Sequence, residues 1–149
     1  MKLSTKGRYG LRALIDLAIH TSVDRHEALS NVAERQNLSE IYLEQVFSTL
    51  RKFGIVQSVK GFQGGYLLAD HPKNISVGMI LRALEGDLSV MDDREKSNQD
   101  LTSITYCVKV NVWEKIDTSV ENMIDSISLE MLVNDYKRLN HKDQSMYFI

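Results

Sequence analysis

What this 149-residue chain lacks narrows it first. It has one cysteine, Cys107, so no disulfide can form within it and no multi-thiolate metal site can be built. No metal site is expected. It has one proline, Pro72, and no apolar run close to the ~20 residues that cross a bilayer. Its N-terminus lacks the basic-then-apolar pattern of a secretory signal. A cytoplasmic protein without membrane contact is expected. No Ser-His-Asp, Cys-His or paired-carboxylate arrangement sits on catalytic scaffolding, so no enzyme is expected either.

What is present is unevenly distributed. The net charge is −2, yet residues 1–66 carry nine Lys/Arg against six Asp/Glu, and residues 67–149 carry nine against fourteen. A basic first half beside an acidic remainder is the asymmetry of a nucleic-acid reader with a separate sensing or assembly half.

The most informative stretch is Leu29–Leu68. It reads as a helix, a turn, a second helix and a β-ribbon. Ser30 is the expected cap of the first helix, Asn37 its left-handed end, and Ser39 the cap of the second. Leu43, Val46, Phe47 and Leu50 fall at i, i+3, i+4 and i+7, a buried stripe. At 100° per residue the opposite face holds Ile41, Gln45, Ser48 and Lys52, flanked by Glu44, Arg51, Tyr42 and Thr49. That face is the expected DNA-reading surface, together with Ser39. Residues 55–60 have strand composition, Gly61 and Gly64–Gly65 permit a reversal, and Tyr66–Leu68 return. A hairpin after a recognition helix is a wing, with Lys60, Gly61 and Gln63 placed to meet DNA.

Before this stretch, Ser4 or Thr5 can cap a helix running to about His20. Lys2, Lys6 and Arg8 crowd its start, either as a solvated terminus or as a phosphate clamp at the helix N-terminus. His20 and His26 read as surface residues. After the wing, Ser76 caps a short helix ending at Gly86, expected to pack under the wing. Residues 87–103, rich in Asp and Glu, read as a loop or hinge. From Ile104 a long helix is expected. Trp113, Ile116, Val120, Met123 and Ile127 step by 3, 4, 3 and 4, a seam suited to a twofold interface between two chains. The fold class is thus mainly α with a small β-hairpin. A winged helix-turn-helix over 1–86 is joined through 87–103 to dimerisation and regulatory helices over 104–149.

Four segments carry a resemblance: MKLSTKGRYGLRAL, LSEIYLEQVFSTLRKFGIVQSVKG, GGYLLA and ISVGMILRALEG. Together they resemble the BadM/Rrf-type family of bacterial winged-helix regulators, densely over 1–86 and more loosely over 104–133. The resemblance implies a homodimer crossed through the long helix, a palindromic operator in double-stranded DNA, and repression. One branch of that family holds an iron–sulfur cluster on three cysteines and a following histidine. Here only Cys107 stands, at the last of those cysteine positions, and Val110 is where the histidine would be. One thiolate is too few for such a cluster, so none is expected. A redox role for Cys107 stays open. The terminal residues Tyr147, Phe148 and Ile149 resemble those of the cysteine metabolism repressor branch, which implies cysteine synthase as a partner; the plainer reading is an apolar end packed on its own domain. The expected function is a homodimeric repressor of cysteine or sulfur metabolism genes. The alternatives are a cluster or redox sensor using Cys107, and an interaction module that has lost DNA binding.

Overall fold

The first helix, α1 (Thr5–His20), is the one around which the others pack. The computed structural model describes residues 1–147, with side chains through residue 141. Ser4 caps α1 by accepting from the Lys6 N–H at 3.2 Å. Ala13, Leu14 and Leu17 line its fully buried stripe. At Gly10 a Cβ would stand 2.3 Å from Leu84 Cδ1, so α1 approaches the later helix closely there and a side chain would have to displace Leu84.

Helices α2 (Leu29–Gln36) and α3 (Glu40–Lys52) form the helix-turn-helix. Asn37 takes the left-handed conformation, φ 54°, and Leu38 packs its side chain against the core. Ser39 caps α3, accepting from Tyr42 N–H at 3.2 Å. Leu43, Val46, Phe47 and Leu50 are all fully buried, as the periodicity requires. One cap differs from expectation. Helix α2 begins before Ser30 with Ala28 at its cap position, and the Glu27 carboxylate accepts from Ala28 N–H at 3.1 Å and from the Asn31 amide at 2.9 Å. Neither Ser30 nor Glu27 makes a side-chain capping bond to the first-turn N–H groups of α2.

Strands β1 (Val56–Val59) and β2 (Gly65–Leu68) pair antiparallel, Val56 opposite Leu68 and Val59 opposite Gly65. The ribbon is tied back to the body by Glu27, whose N–H and C=O pair with the Tyr66 backbone at 2.9 Å each. This approach needs Gly65, because a Cβ there would lie 2.2 Å from the Glu27 carbonyl oxygen. After a 3-10 turn at Pro72–Asn74, Ser76 caps α4 (Val77–Glu85). Helix α4 packs on α1 and α3 rather than under the wing. Its buried residues Ile80 and Leu84 extend the core beneath the helix-turn-helix.

The acidic segment contains a helix, α5 (Asp93–Ser97), set by a capping box between Asp92 and Glu95. It is less of a free loop than its composition suggests. Helix α6 (Ile104–Val108) continues through one π-turn, Lys109–Trp113, into α7 (Glu114–Ser126). Ile127 is extended, and α8 (Leu129–Tyr147) follows. Val77 N–H donates to the Ile127 carbonyl and Leu129 N–H to that of Ile75, both at 2.8 Å. Leu129 is fully buried in the same cluster as Phe47 and Leu14. The first core therefore draws on residues from both sides of the acidic segment.

The expected seam is one apolar arc of which the structure buries one edge and leaves the other exposed. Val120 and Ile127 pack against Val77, Leu81 and Ile124 of the chain's own second cluster. Ile116 and Met123 stay exposed, along with Val112, and Trp113 is half-buried. At 100° per residue Val120 and Ile124 are centred roughly 70° around the helix from Ile116 and Met123. Apolar spacing alone does not separate a face that packs at home from its neighbour. Phe148, Ile149 and the side chain of Tyr147 lie outside the described residues.

Candidate nucleic-acid interface

The outer face of α3 is built from the side chains left over when its stripe is buried. Ile41 is 76% exposed despite being apolar, and Glu44, Gln45, Arg51 and Lys52 are also exposed. Tyr42, Ser48 and Thr49 are half-buried, and Ser39 is exposed at the cap. The start of α1 lies against this face: Lys6 Nζ donates to Thr49 Oγ1 at 3.3 Å, and the Thr5 and Tyr42 hydroxyls are 3.5 Å apart. Tyr42 meets the edge of Tyr9 with ring centroids 6.2 Å apart. Arg12 stands 5.2 Å over the Tyr9 ring and donates to the Gln36 carbonyl at 2.8 Å. Thr5, Tyr9 and Arg12 were not among the candidates from sequence. No local spacing marks them, because their partners are far along the chain.

The N-terminus of α1 is not an open anion site. Glu85 reaches across from the end of α4, and its Oε1 accepts from Ser4 N–H at 3.0 Å, Ser4 Oγ at 2.7 Å and Gly7 N–H at 2.9 Å. A carboxylate of the chain itself thus fills the place that a phosphate would take. Lys2 and Arg8 are exposed near this terminus, and Lys6 is half-buried toward α3.

The wing lies alongside α3. Lys60, Gly61 and Gln63 are exposed at its turn, where Gly61 has φ 119° and Gly64 N–H closes onto the Gly61 carbonyl at 3.1 Å. A groove of about 420 Å³ runs between wing and helix, lined by Glu40, Glu44, Ser58 and Tyr66. Burial and then the Glu44 carboxylate push the Tyr66 hydroxyl above its ordinary pKa.

One ion network holds these parts in register. Asp16, 5% exposed, accepts from Arg35 Nε at 3.1 Å, from an Arg35 terminal nitrogen at 2.7 Å and from the Gln36 amide at 2.9 Å. The same Arg35 terminal nitrogen donates to Glu27 at 2.9 Å, which links α1 and α2 to the residue that pairs with the wing. Burial works to raise the Glu27 pKa, but hydrogen bonds from Asn31, Arg35 and Ala28 outweigh it and hold the carboxyl below its usual value. Asp16 supplies the hydrogen bond that holds the Arg35 proton most firmly.

A helix-turn-helix with a braced, Gly-turned wing beside it is a DNA-reading arrangement. A sequence model of the Rrf2 family, described as iron-dependent transcriptional regulators, matches residues 3–135. The chain belongs to the Rrf2 family. It is 40% identical over 137 residues to the HTH-type transcriptional regulator CymR of Bacillus subtilis, covering 90% of this chain and 91% of that one. It is 38% identical over 144 residues to the HTH-type transcriptional regulator IscR of Pectobacterium atrosepticum, covering 97% and 86%. The solved structure of B. subtilis CymR, a global cysteine regulator, superposes with TM-score 0.74 at 37% identity over 90% of this chain and 97% of that one. IscR of T. potens superposes at 0.69 with 45% identity over 91% and 88%. This Rrf2 chain is a transcription regulator that binds DNA, and its relatives are named as regulators, not enzymes. The winged-helix expectation and the resemblance are both met.

Among the described residues the iron named in the family's description has no matching donor set. Cys107 is exposed on α6, and the Asn111 amide, 3.7 Å from its sulfur, donates to the Cys107 carbonyl at 2.7 Å. Among the described residues no group of three or more His, Cys, Asp or Glu is placed to hold a metal. A lone thiolate beside an amide does not fit soft iron–sulfur chemistry. Among the described residues no helix is long and apolar enough to cross a membrane.

Proposed function

We propose that this Rrf2 regulator acts in the cytoplasm as a homodimer on a palindromic operator and represses genes of cysteine or sulfur metabolism. The observation that carries the reading is the free apolar stripe of the long helix. Ile104, Val112, Ile116 and Met123 are exposed on α6–α7, while the reading face of α3 and the wing are also left free. An exposed apolar stripe on a helix calls for a partner surface, and a second copy supplies the matching half-site that a winged helix-turn-helix uses. The sulfur assignment is supported by the 40% identity to CymR, and repression rests on the family resemblance. The regulator works without a resident cluster and answers instead to a partner, cysteine synthase, through residues 147–149.

In this reading Lys2, Lys6, Arg8, Arg51, Lys52 and Lys60 contact phosphates. Ser39, Ile41, Tyr42, Glu44, Gln45, Ser48 and Thr49 face base edges, and Gly61 and Gln63 let the wing approach. Operator affinity is measured across a salt series. Lys60→Ala lowers the slope of log K against log salt by about one, while Gln45→Ala changes sequence preference. Deleting residues 147–149 leaves intrinsic affinity unchanged and removes enhancement by cysteine synthase. A wild-type protein that sediments as a monomer at micromolar concentration overturns the dimer. A coloured, anaerobically purified protein overturns the cluster-free reading.

A further inference from the structure

The turn of the wing carries a residue that the phosphate and base-edge assignments leave unused. Phe62 is fully exposed, between Gly61 and Gln63 and two residues from Lys60. Leaving a phenyl ring in water forgoes about 2–3 kcal/mol relative to burying it, so its exposure asks what covers it. Its neighbours argue against a protein surface. Interfaces between proteins bury a cluster of apolar side chains, and here the ring is flanked by Lys60, Gly61, Gln63 and Gly64. The apolar stripe on the long helix is the protein-like surface of this chain, and Phe62 is not part of it.

The ring is also held at a defined place. His26 Nε2 donates to the Gln63 carbonyl, the Gly61–Gly64 turn is closed by a hydrogen bond, and Glu27 pairs with Tyr66 just beyond. An aromatic side chain on a turn braced at three points loses little freedom when it inserts. A cationic Lys60 beside it suits the phosphates on either side of a groove. Proteins that enter the minor groove often insert a single apolar side chain between base pairs, partly unstacking one step and bending the duplex.

We propose that Phe62 is such a wedge: on operator binding its ring enters the minor groove beneath the wing and opens one base step. This rests on the DNA-binding reading given above and adds a specificity device to it. Pyrimidine–purine steps unstack most easily, so the wedge favours a TA or CA/TG step under the wing, without any hydrogen bond to a base.

The test uses the full chain and an operator that the wild-type protein selects from random-sequence duplex. Two measurements are made on fluorophore-ended duplexes at saturating protein: the end-to-end distance, and affinity for sites with TA or GC placed under the wing. Wild type shortens the end-to-end distance and prefers TA. Phe62→Ala abolishes the shortening, weakens the selected site by about tenfold, the scale of one lost base-level contact, and loses the TA preference. Phe62→Leu, which keeps an apolar wedge, restores part of both. Lys60→Ala weakens binding but keeps the shortening once saturated. A Phe62→Ala protein that bends and discriminates as wild type does overturns the wedge while leaving the DNA reading intact. A Phe62→Ala protein with altered oligomeric state assigns the ring to a protein contact and also overturns it. A wild type that selects no site overturns both readings together.

Discussion

Replacing Asp16 by alanine tests the network that holds helix, turn and wing together. The Asp16 side chain is 4% exposed and takes hydrogen bonds from both Arg35 and Gln36. Removing one partner of a buried ion pair costs about 3–5 kcal/mol, because the other is left with its charge uncompensated. Two features of this site decide where in that range the effect falls. Arg35 is 33% exposed and keeps its 2.9 Å contact with Glu27, so the stranded charge still reaches water and one carboxylate. That puts the loss near the lower end, about 3 kcal/mol. For a domain of this size the melting temperature falls by about 6–12 °C. The assay is thermal unfolding followed by circular dichroism at neutral pH, on Asp16→Ala and on the pair Asp16→Leu with Arg35→Met. The double variant recovers part of the loss, since a packed apolar pair removes the stranded Arg35 charge, and the part not recovered reflects the Arg35 contact that Glu27 loses. A single-variant loss below about 1 kcal/mol, the range of a surface ion pair, refutes the reasoning.

Other outcomes follow from particular contacts. Gly65→Ala places a Cβ 2.2 Å from the Glu27 carbonyl oxygen, so β2 must shift. It destabilises by about 1–3 kcal/mol in a denaturant titration, and faster amide exchange at Tyr66 locates the damage. Met123→Asp, at a side chain 56% exposed, yields a folded monomer by sedimentation whose melt no longer rises with protein concentration. Val120→Asp, facing Val77 and Ile124, lowers the melt itself. Glu27 has its folded pKa held below the ordinary 4.5, so its contribution is complete above that value and is lost as pH falls through the lower folded value. Glu27→Gln therefore flattens the acid limb of a stability profile below pH ~4.5 and leaves the alkaline limb alone.

The sequence by itself determined whatever depends on near neighbours along the chain. Asn37 ends α2 in a left-handed turn, Ser39 caps α3, and Leu43, Val46, Phe47 and Leu50 are buried together. Each follows from backbone geometry within one or two turns of helix, so spacing alone reveals it. The outer face of α3 was legible for the same reason, as the complement of that stripe. Tertiary structure decided what depends on residues distant in sequence. Glu85 reaches Gly7 across 78 positions to fill the N-terminus of α1, and Lys6 reaches Thr49 across 43. Arg35 chose Asp16 and Glu27 from among several acidic residues of equal standing in composition. Ile127 and Leu129 were drawn back to Val77 and Ile75, and that fixed which side of α7 turned inward and which apolar side chains stayed free. A periodic pattern says that a helix has an apolar face, but only packing against a specific neighbour selects which part of that face is buried, because the same side chains suit either surface.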